Sequence, residues 1–156
     1  VNLRYRQDLG AKAGSLALQL SGNYLDRLSF VPVVGAEPVN EIGSAQAPAP
    51  RYSANVDLTW QKGPFSLSYG LDWHDKTRRI SREDMAADPK YVESRYVFHR
   101  EKWEHELHAA YRIDDKFQFY GGVHNLTDRK ADIGALSYPI SAVGRYFYAG
   151  VSAAIF

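Results

Sequence analysis

The stretch "RYSANVDLTWQKGPFSLSYGLDWH", residues 51–74, decides the fold because it alternates between apolar and polar side chains on both sides of a turn. Every second residue from Tyr52 to Trp60 is apolar, and the same period runs from Phe65 to Trp73. This period is typical of a β-strand with one apolar face, and the intervening Gly-Pro marks a turn. The stretch therefore predicts a hairpin of two strands of about ten residues, long enough to cross a bilayer when tilted.

The same alternation recurs along the rest of the chain and predicts about seven strands. The other strands are expected near residues 3–5, 16–24, 103–111, 117–123 and 145–156, although "AGVSAAIF" has apolar or small residues on both faces. Short connections (8–14, 61–64 and 114–116) alternate with long ones (27–50, 78–97 and 126–144). Short turns at one end and long loops at the other are typical of outer-membrane barrels, with the short turns in the periplasm. The sequence predicts an all-β, antiparallel transmembrane barrel segment.

The composition of the chain excludes several classes of function. The net charge of +1 does not favour nucleic acid as a partner, and the absence of cysteine removes thiolate metal sites. No run of 18 apolar residues is present, which excludes a membrane-spanning helix. The mean hydropathy of −0.41 is compatible with transmembrane strands, because these are apolar only at alternate positions.

An alternating all-β chain can also be a soluble barrel or sandwich, and the aromatic residues favour the membrane alternative. They are expected in two girdles around an aliphatic band, as at two membrane–water interfaces. The girdle at the short-turn end would contain Tyr5, Trp60, Phe65, Tyr111, Phe117 and Phe156, and the other Tyr24, Tyr52, Trp73 and Trp103.

The polar face carries too many charges for a narrow barrel, so we expect a wide lumen that holds water or a plug. Bacterial single-chain barrels have an even number of strands with both ends in the periplasm. Seven strands counted back from Phe156 place Val1 at the outer surface. We therefore expect residues 1–156 to be the C-terminal portion of a larger barrel, with the earlier strands absent. An additional strand within residues 29–39 would instead allow a small complete barrel.

Two motifs near the C-terminus resemble the end of TonB-dependent receptors, the plugged 22-stranded outer-membrane transporters. "YGGVHNLTDRK" (120–130) is similar to their penultimate strand, and "PISAVGRYFYAGVSAAIF" (139–156) to their last strand, which opens with Gly-Arg-x-aromatic and ends in Phe. The hairpin "TWQKGPFSLSYGLDW" and the segment "YLDRLSF" also resemble these receptors, so the resemblance covers essentially the whole chain.

The resemblance implies active transport across the bacterial outer membrane rather than enzymatic activity. Ferric siderophores, cobalamin and glycans are the implied substrate classes, and no cofactor is implied. The implied partners are membrane lipid and lipopolysaccharide, the barrel assembly machinery, a plug domain of the same chain, and TonB through an upstream segment. A self-contained small barrel acting as an adhesin or passive pore is the alternative.

The motif Asn125-Leu126-Thr127-Asp128 interrupts the alternation at the outer rim. Asn and Asp side chains bond to nearby backbone and start turns, so we expect this turn to anchor the following loop to Gly144. Direct ligand contact by Asn125 or Asp128 is the other interpretation. Tyr146, Tyr148 and Phe156 resemble the signal that the assembly machinery reads, although they are also compatible with ordinary girdle aromatics.

The loop "KTRRISREDMAADPKYVESRYVFHR" (76–100) carries the ligand-binding candidates, with His74 at the rim below it. Its arginines and tyrosines suit an anionic chelate, which they would hold by charge-assisted hydrogen bonds and stacking. Nearby acidic residues nearly cancel that charge. The cations of the loop can therefore pair with these acidic residues, or with lipopolysaccharide, instead of with a ligand. The candidates are Arg78, Arg79, Arg82, Arg95 and Arg100, with Tyr91 and Tyr96.

Two further chemical sites find little support. "HELH" (105–108) is one residue short of the zinc-protease motif, and a strand places its two histidines on opposite faces. We expect no metal site and no catalytic residues. A rim hydrolase would need a cluster such as Asp72, His74 and His99, for which luminal polar residues are the simpler interpretation.

Overall fold

A computed structural model describes residues 1–44, 49–131 and 143–154, and its main element is a seven-stranded antiparallel sheet. Each strand pairs with the next long strand along the chain, which makes the sheet a meander with β1 and β11 at its edges. The prediction of seven strands and of an all-β class is confirmed. The long strands are β1 (Asn2–Asp8), β2 (Ser15–Tyr24), β5 (Tyr52–Lys62), β6 (Phe65–His74), β9 (Lys102–Arg112), β10 (Phe117–His124) and β11 (Tyr146–Ala153).

The short elements lie within two of the long loops. β3 (Ser29–Phe30) pairs with β4 (Val39–Asn40), and β7 (Thr77–Arg78) pairs with β8 (Phe98–His99), each as a separate two-stranded sheet. Helix α1 (Arg82–Ala87) and a 3₁₀ turn (Ser94–Tyr96) complete the second loop. Because β3 and β4 pair only with each other among the described residues, they do not change the strand count of the main sheet. No described helix is long and apolar enough to cross a membrane.

The short turns lie at one end of the sheet and the long loops at the other, as predicted. Gly63 turns the β5–β6 hairpin at a φ of +54°, a conformation that suits glycine. Asp114 makes the β9–β10 turn, where its Oδ1 accepts hydrogen bonds from the amides of Lys116 and Phe117, both at 2.8 Å. Asp8 accepts in the same way from the Gly10 amide.

One face of the sheet is a continuous apolar surface. The register aligns Leu18 with Leu58, Leu58 with Tyr69, and Tyr69 with Leu107 across four strands. Large apolar side chains on this face stay exposed, including Phe119 at 51% and Phe147 at 75%. Among the described residues no second layer packs on this face, and an apolar surface of this kind is suited to lipid rather than to water.

The aromatic residues form ring pairs at both ends of the sheet. Trp73 and Trp103 lie 5.7 Å apart at the loop end, whereas Trp60 and Phe65 lie 5.7 Å apart at the turn end. Tyr5 is a correction to the predicted girdle, because it lies opposite Leu18 and further from the turn than expected. Phe156 lies outside the described residues.

The last strand has two distinct faces despite its ambiguous sequence. Phe147 and Val151 lie on the apolar face opposite Val123 and Phe119, whereas Tyr148 and Gly150 lie on the polar face. There each tyrosine ring covers a glycine of the neighbouring strand: Tyr148 opposes Gly122, and Tyr120 opposes Gly150. A Cβ atom on Gly150 would lie 2.5 Å from Tyr120 Cζ, and one on Gly122 would lie 2.7 Å from Tyr148 Cζ. At Gly122 such an atom would also lie 2.5 Å from the Leu107 carbonyl oxygen, so glycine is required there, whereas at Gly150 the Tyr120 ring would have to move.

Candidate ligand-binding site in the outer loops

The loop between β6 and β9 is an ordered structure. The β7–β8 pair closes its base, where Thr77 (2% exposed) and Val97 are buried and the Arg79 amide donates to the Val97 carbonyl at 2.8 Å. Ser81 caps α1 by accepting from the Asp84 amide at 2.9 Å. The loop also bonds to the preceding long loop, since the Arg78 amide donates to the Gly43 carbonyl at 2.6 Å. The two loops are thereby joined above the sheet.

The turn that follows β10 supplies the other side of the site. Asn125 is buried (2% exposed), and its side chain bonds to both backbone groups of Arg129: Nδ2 donates to the carbonyl, and Oδ1 accepts from the amide, each at 2.8 Å. Asp128 Oδ1 accepts from the Arg145 amide at 3.0 Å, directly after Gly144. The predicted turn and its anchoring of the next loop beside Gly144 are therefore present. Asn125 and Asp128 have φ values of +52° and +54°, which Asn and Asp tolerate better than most residues.

The Asp128 carboxylate is held by two donors. The hydrogen bond from Lys130 (Nζ to Oδ1, 2.9 Å) and the bond from the Arg145 amide lower the pKa of Asp128. The carboxylate therefore stays ionised, and keeps its link to the Arg145 amide, at lower pH than an ordinary aspartate would.

Between the β6–β9 loop and this turn lies a cavity of about 630 Å³. Its walls combine cations with aromatic rings, and one acidic residue, Asp128, lies among them. A second cavity of about 640 Å³ shares Arg95, Phe98, Arg100 and Arg129 with the first. The residues around the first cavity are Arg79, Arg95, Tyr96, Phe98, Arg100, Thr127, Asp128, Arg129, Lys130 and Ala131.

The charged residues of this region are partly paired. Glu93 pairs with Arg95 (Oε2 to Nε, 2.7 Å), Asp128 pairs with Lys130 (Oδ2 to Nζ, 2.9 Å), and Glu83 lines a different cavity, next to Arg78 and Arg82. Five cations and one carboxylate line the first cavity, so cations outnumber acidic side chains in its wall although some of them are paired.

Cations also lie over aromatic rings in this region. The Arg95 guanidinium lies 4.8 Å from the centroid of the Tyr96 ring, and that of Arg78 lies 4.8 Å from the centroid of Phe98. These rings fix the direction of the guanidinium groups and leave their N–H donors at the ring edges.

The structure gathers some predicted ligand residues and separates others. Arg79, Arg95 and Tyr96 line the basic cavity, together with Arg100. Arg78 and Arg82 line a smaller cavity of about 160 Å³ against the β3–β4 loop. Tyr91 is 59% exposed and lines neither of these cavities. His74 ends β6 on the polar face of the sheet, opposite Lys102.

The sequence analysis missed the contribution of the β10 turn to this site. Thr127, Arg129 and Lys130 line the cavity, yet only the turn-forming residues of that segment were singled out. The sequence "NLTDRK" already indicated this contribution, because Arg129 and Lys130 directly follow the rim turn and must lie at the rim.

The predicted assembly residues Tyr146 and Tyr148 lie on the polar face. Tyr146 stacks on His124 with ring centroids 5.1 Å apart, and Tyr148 Oη lies 3.0 Å from His108 Nδ1. Their role in assembly stays a prediction, and Phe156 lies outside the described residues.

The two histidines of "HELH" lie on opposite faces, as predicted. His105 Nδ1 lies 2.7 Å from Tyr69 Oη on the apolar face, whereas His108 contacts Tyr148 on the polar face. Of the hydrolase candidates, Asp72 and His74 lie two residues apart on the polar face of β6, where Asp72 bonds to Asn55, and His99 lies in the β6–β9 loop.

No protein-family model and no curated protein sequence matches the chain. Solved structures do match: a mutant of the ferric enterobactin receptor PfeA from Pseudomonas aeruginosa superimposes with a TM-score of 0.62 at 17% identity. A mutant of the same receptor in complex with enterobactin gives 0.61 at 19% identity, and the receptor in complex with BCV-L6 gives 0.60 at 18%. The fold is that of a TonB-dependent receptor barrel.

These matches cover 97% of this chain and 21% of the receptor chains. The chain therefore spans about a fifth of the length of the receptor structures it matches. All three are structures of a receptor rather than of an enzyme. The sequence resemblance at the C-terminal motifs and the similarity of fold thus agree, and the meander of seven strands corresponds to part of a barrel wall.

Proposed function

We propose that this chain is the C-terminal part of the barrel wall, with outer loops, of a TonB-dependent receptor that imports an anionic metal chelate across the bacterial outer membrane. The observation that carries the proposal is the basic and aromatic cavity at the long-loop end of a wall with a receptor fold. An anionic siderophore complex has the charge and the flat surfaces that guanidinium groups and tyrosine rings bind. The enterobactin complex of the structural neighbour gives one concrete probe.

The proposal assigns a side to each part of the sheet. The apolar face contacts membrane lipid, the polar face lines the lumen, and the loop end faces the exterior with its lipopolysaccharide. A plug domain and a TonB-binding segment are expected elsewhere in the full-length protein, and the assembly machinery is expected to insert the barrel. These partners follow from the family resemblance, and the fold similarity supports them.

The test is ferric enterobactin binding to the protein purified from its own outer membrane. We expect Arg79→Gln and Arg129→Gln each to weaken binding about tenfold or more, because each removes a charge-assisted donor. Arg112→Gln is the matched control: it removes the same charge at the short-turn end of β9. Equal affinity of all three variants and wild type would refute this cavity as the site.

A second measurement tests the assignment to a larger receptor. Antibodies against this chain should detect a band several-fold heavier than 17.6 kDa in outer-membrane fractions. A band near 17.6 kDa would favour the self-contained small barrel, acting as an adhesin or passive pore.

A further inference from the structure

Three metal-ligand side chains meet on the polar face just below the outer loops. Glu104 and Glu106 are two residues apart on β9 and share that face, and His124 ends the neighbouring strand β10. His124 Nε2 lies 2.7 Å from Glu106 Oε1, and His124 Nδ1 lies 3.3 Å from Glu104 Oε1. Within the described residues this is the one group of three His or carboxylate side chains whose ligand atoms all lie within 4.8 Å of one another.

The separation between His124 Nε2 and Glu106 Oε1 is close to that of two ligands on one metal ion, and a Glu104 ligand atom lies within 4.8 Å of both residues' ligand atoms. Metal–nitrogen and metal–oxygen bonds of about 2.0–2.2 Å place neighbouring ligand atoms roughly 3–3.5 Å apart. One imidazole and two carboxylates form a ligand set for divalent transition metals such as Zn²⁺, Mn²⁺ or Fe²⁺. The two imidazole nitrogens of His124 point in different directions, so a single ion can bind only one of them. We place the ion on Nε2, beside Glu106. The Glu104 carboxylate would then rotate toward Nε2 to become the third ligand.

The surroundings hold the set in place. The Glu104 side chain is 8% exposed and its Oε2 lies 2.9 Å from Lys102 Nζ, which orients the carboxylate and leaves Oε1 directed at His124. Tyr146 stacks on the His124 ring, which fixes the plane of the imidazole. The stacked tyrosine thus orients the imidazole before any ion arrives, as supporting contacts around metal sites commonly do, whereas the Glu104 carboxylate must rotate to reach an ion on Nε2.

The charge of the wall also favours a cation here. Asp72 on β6 lies opposite Glu104 on β9. Gly70 on β6 separates Glu106 on β9 from Asp57 on β5. Four carboxylates thus face one lysine and His124 on this part of the wall. In the same region, His74 Nδ1 is buried without a hydrogen-bond partner among the described residues.

We propose that Glu104, Glu106 and His124 bind one divalent transition-metal ion on the polar wall of the sheet. The proposal revises the expectation of no metal site, which rested on His105 and His108. Those two histidines lie on opposite faces, whereas strand alternation and the β9–β10 pairing bring these three together. It depends only on the sheet and is independent of the proposed transport function.

The test is Zn²⁺ binding by isothermal titration calorimetry, with protein purified from the outer membrane and treated with chelator. Wild type should bind one Zn²⁺ tightly, and His124→Gln and Glu106→Gln should each weaken that binding at least tenfold, with Co²⁺ absorption reporting the same loss. His108→Gln is the matched control, since His108 lies on the same face and also contacts a tyrosine of β11.

Three outcomes would overturn the proposal. Equal Zn²⁺ binding by wild type and His124→Gln would place the ion elsewhere, and equal loss in His108→Gln would indicate a general disturbance of the wall. Absence of Zn²⁺ binding to wild type would mean that the three side chains pair only with one another. His124→Gln should bind ferric enterobactin as wild type does. If neither protein binds ferric enterobactin, the proposed transport function is refuted and the proposed metal site is not.

Discussion

Replacing Asn125 tests whether one buried side chain holds the rim turn together. Asn125→Ala removes two hydrogen bonds to the Arg129 backbone, each 2.8 Å long, at a residue that is 2% exposed. Two such bonds contribute about 1–3 kcal/mol in total. Alanine at a φ of +52° adds about 1 kcal/mol of backbone strain. We expect the turn to lose about 2–4 kcal/mol of local stability.

Hydrogen exchange measured by mass spectrometry on the purified protein reads this loss directly. A loss of about 2–4 kcal/mol accelerates exchange of the Arg129 amide roughly 30- to 1,000-fold when opening is fast and reversible. Asn125→Gly separates the two contributions, because glycine tolerates the positive φ but makes neither bond. Peptides from the 113–116 turn, at the opposite end of the sheet, should exchange as in wild type.

Two results would refute this reasoning. If Asn125→Gly protects Arg129 as well as wild type does, the side-chain bonds contribute nothing. If Asn125→Ala leaves exchange unchanged, neither the bonds nor the strain matter, and the turn is held by its neighbours.

Further predictions concern glycine packing and the rim carboxylate. Gly122→Ala should destabilise the protein in denaturant titrations because its Cβ would lie 2.5 Å from the Leu107 carbonyl oxygen, whereas Gly22→Ala should be nearly neutral because nothing lies within 4 Å; equal effects would contradict this. Since Lys130 and the Arg145 amide lower the pKa of Asp128, its contribution is present above the ordinary aspartate pKa and is lost as pH falls through the lowered value. Proteolysis of the 129–145 loop should therefore increase in acid, and Asp128→Asn should remove that dependence; an unchanged acid response in this variant would show that another group is responsible.

The sequence was sufficient for the strands because each has two chemically different faces. A one-residue shift of any strand would exchange its faces, so the pattern in residues 51–74 determines the facing of every side chain in that hairpin. Tyr5 was misplaced because alternation specifies the face of a side chain but not its height on the sheet. The height of Tyr5 depends on how β1 is aligned with β2, and the sequence of one strand does not show that alignment.

The candidate site was less accessible from sequence because it is assembled from separate loops. Arg79 and Arg129 are 50 positions apart and meet only because β6, β9 and β10 are neighbours. The acidic residues near Arg79 in the sequence belong partly to α1, whose cap directs them to another cavity. The sequence of the loop therefore does not show which acidic residues lie beside which cations.

The paired tyrosines and glycines of β10 and β11 restrict how the last strand can be joined to the wall. A slip of two residues preserves the faces, but it places Tyr120 opposite Tyr148 in one direction and Gly122 opposite Gly150 in the other. The first crowds two rings, and the second leaves two glycines without a covering ring. Packing on this face therefore disfavours both slipped registers, and the observed alignment of the last strand is specified within this pair of strands.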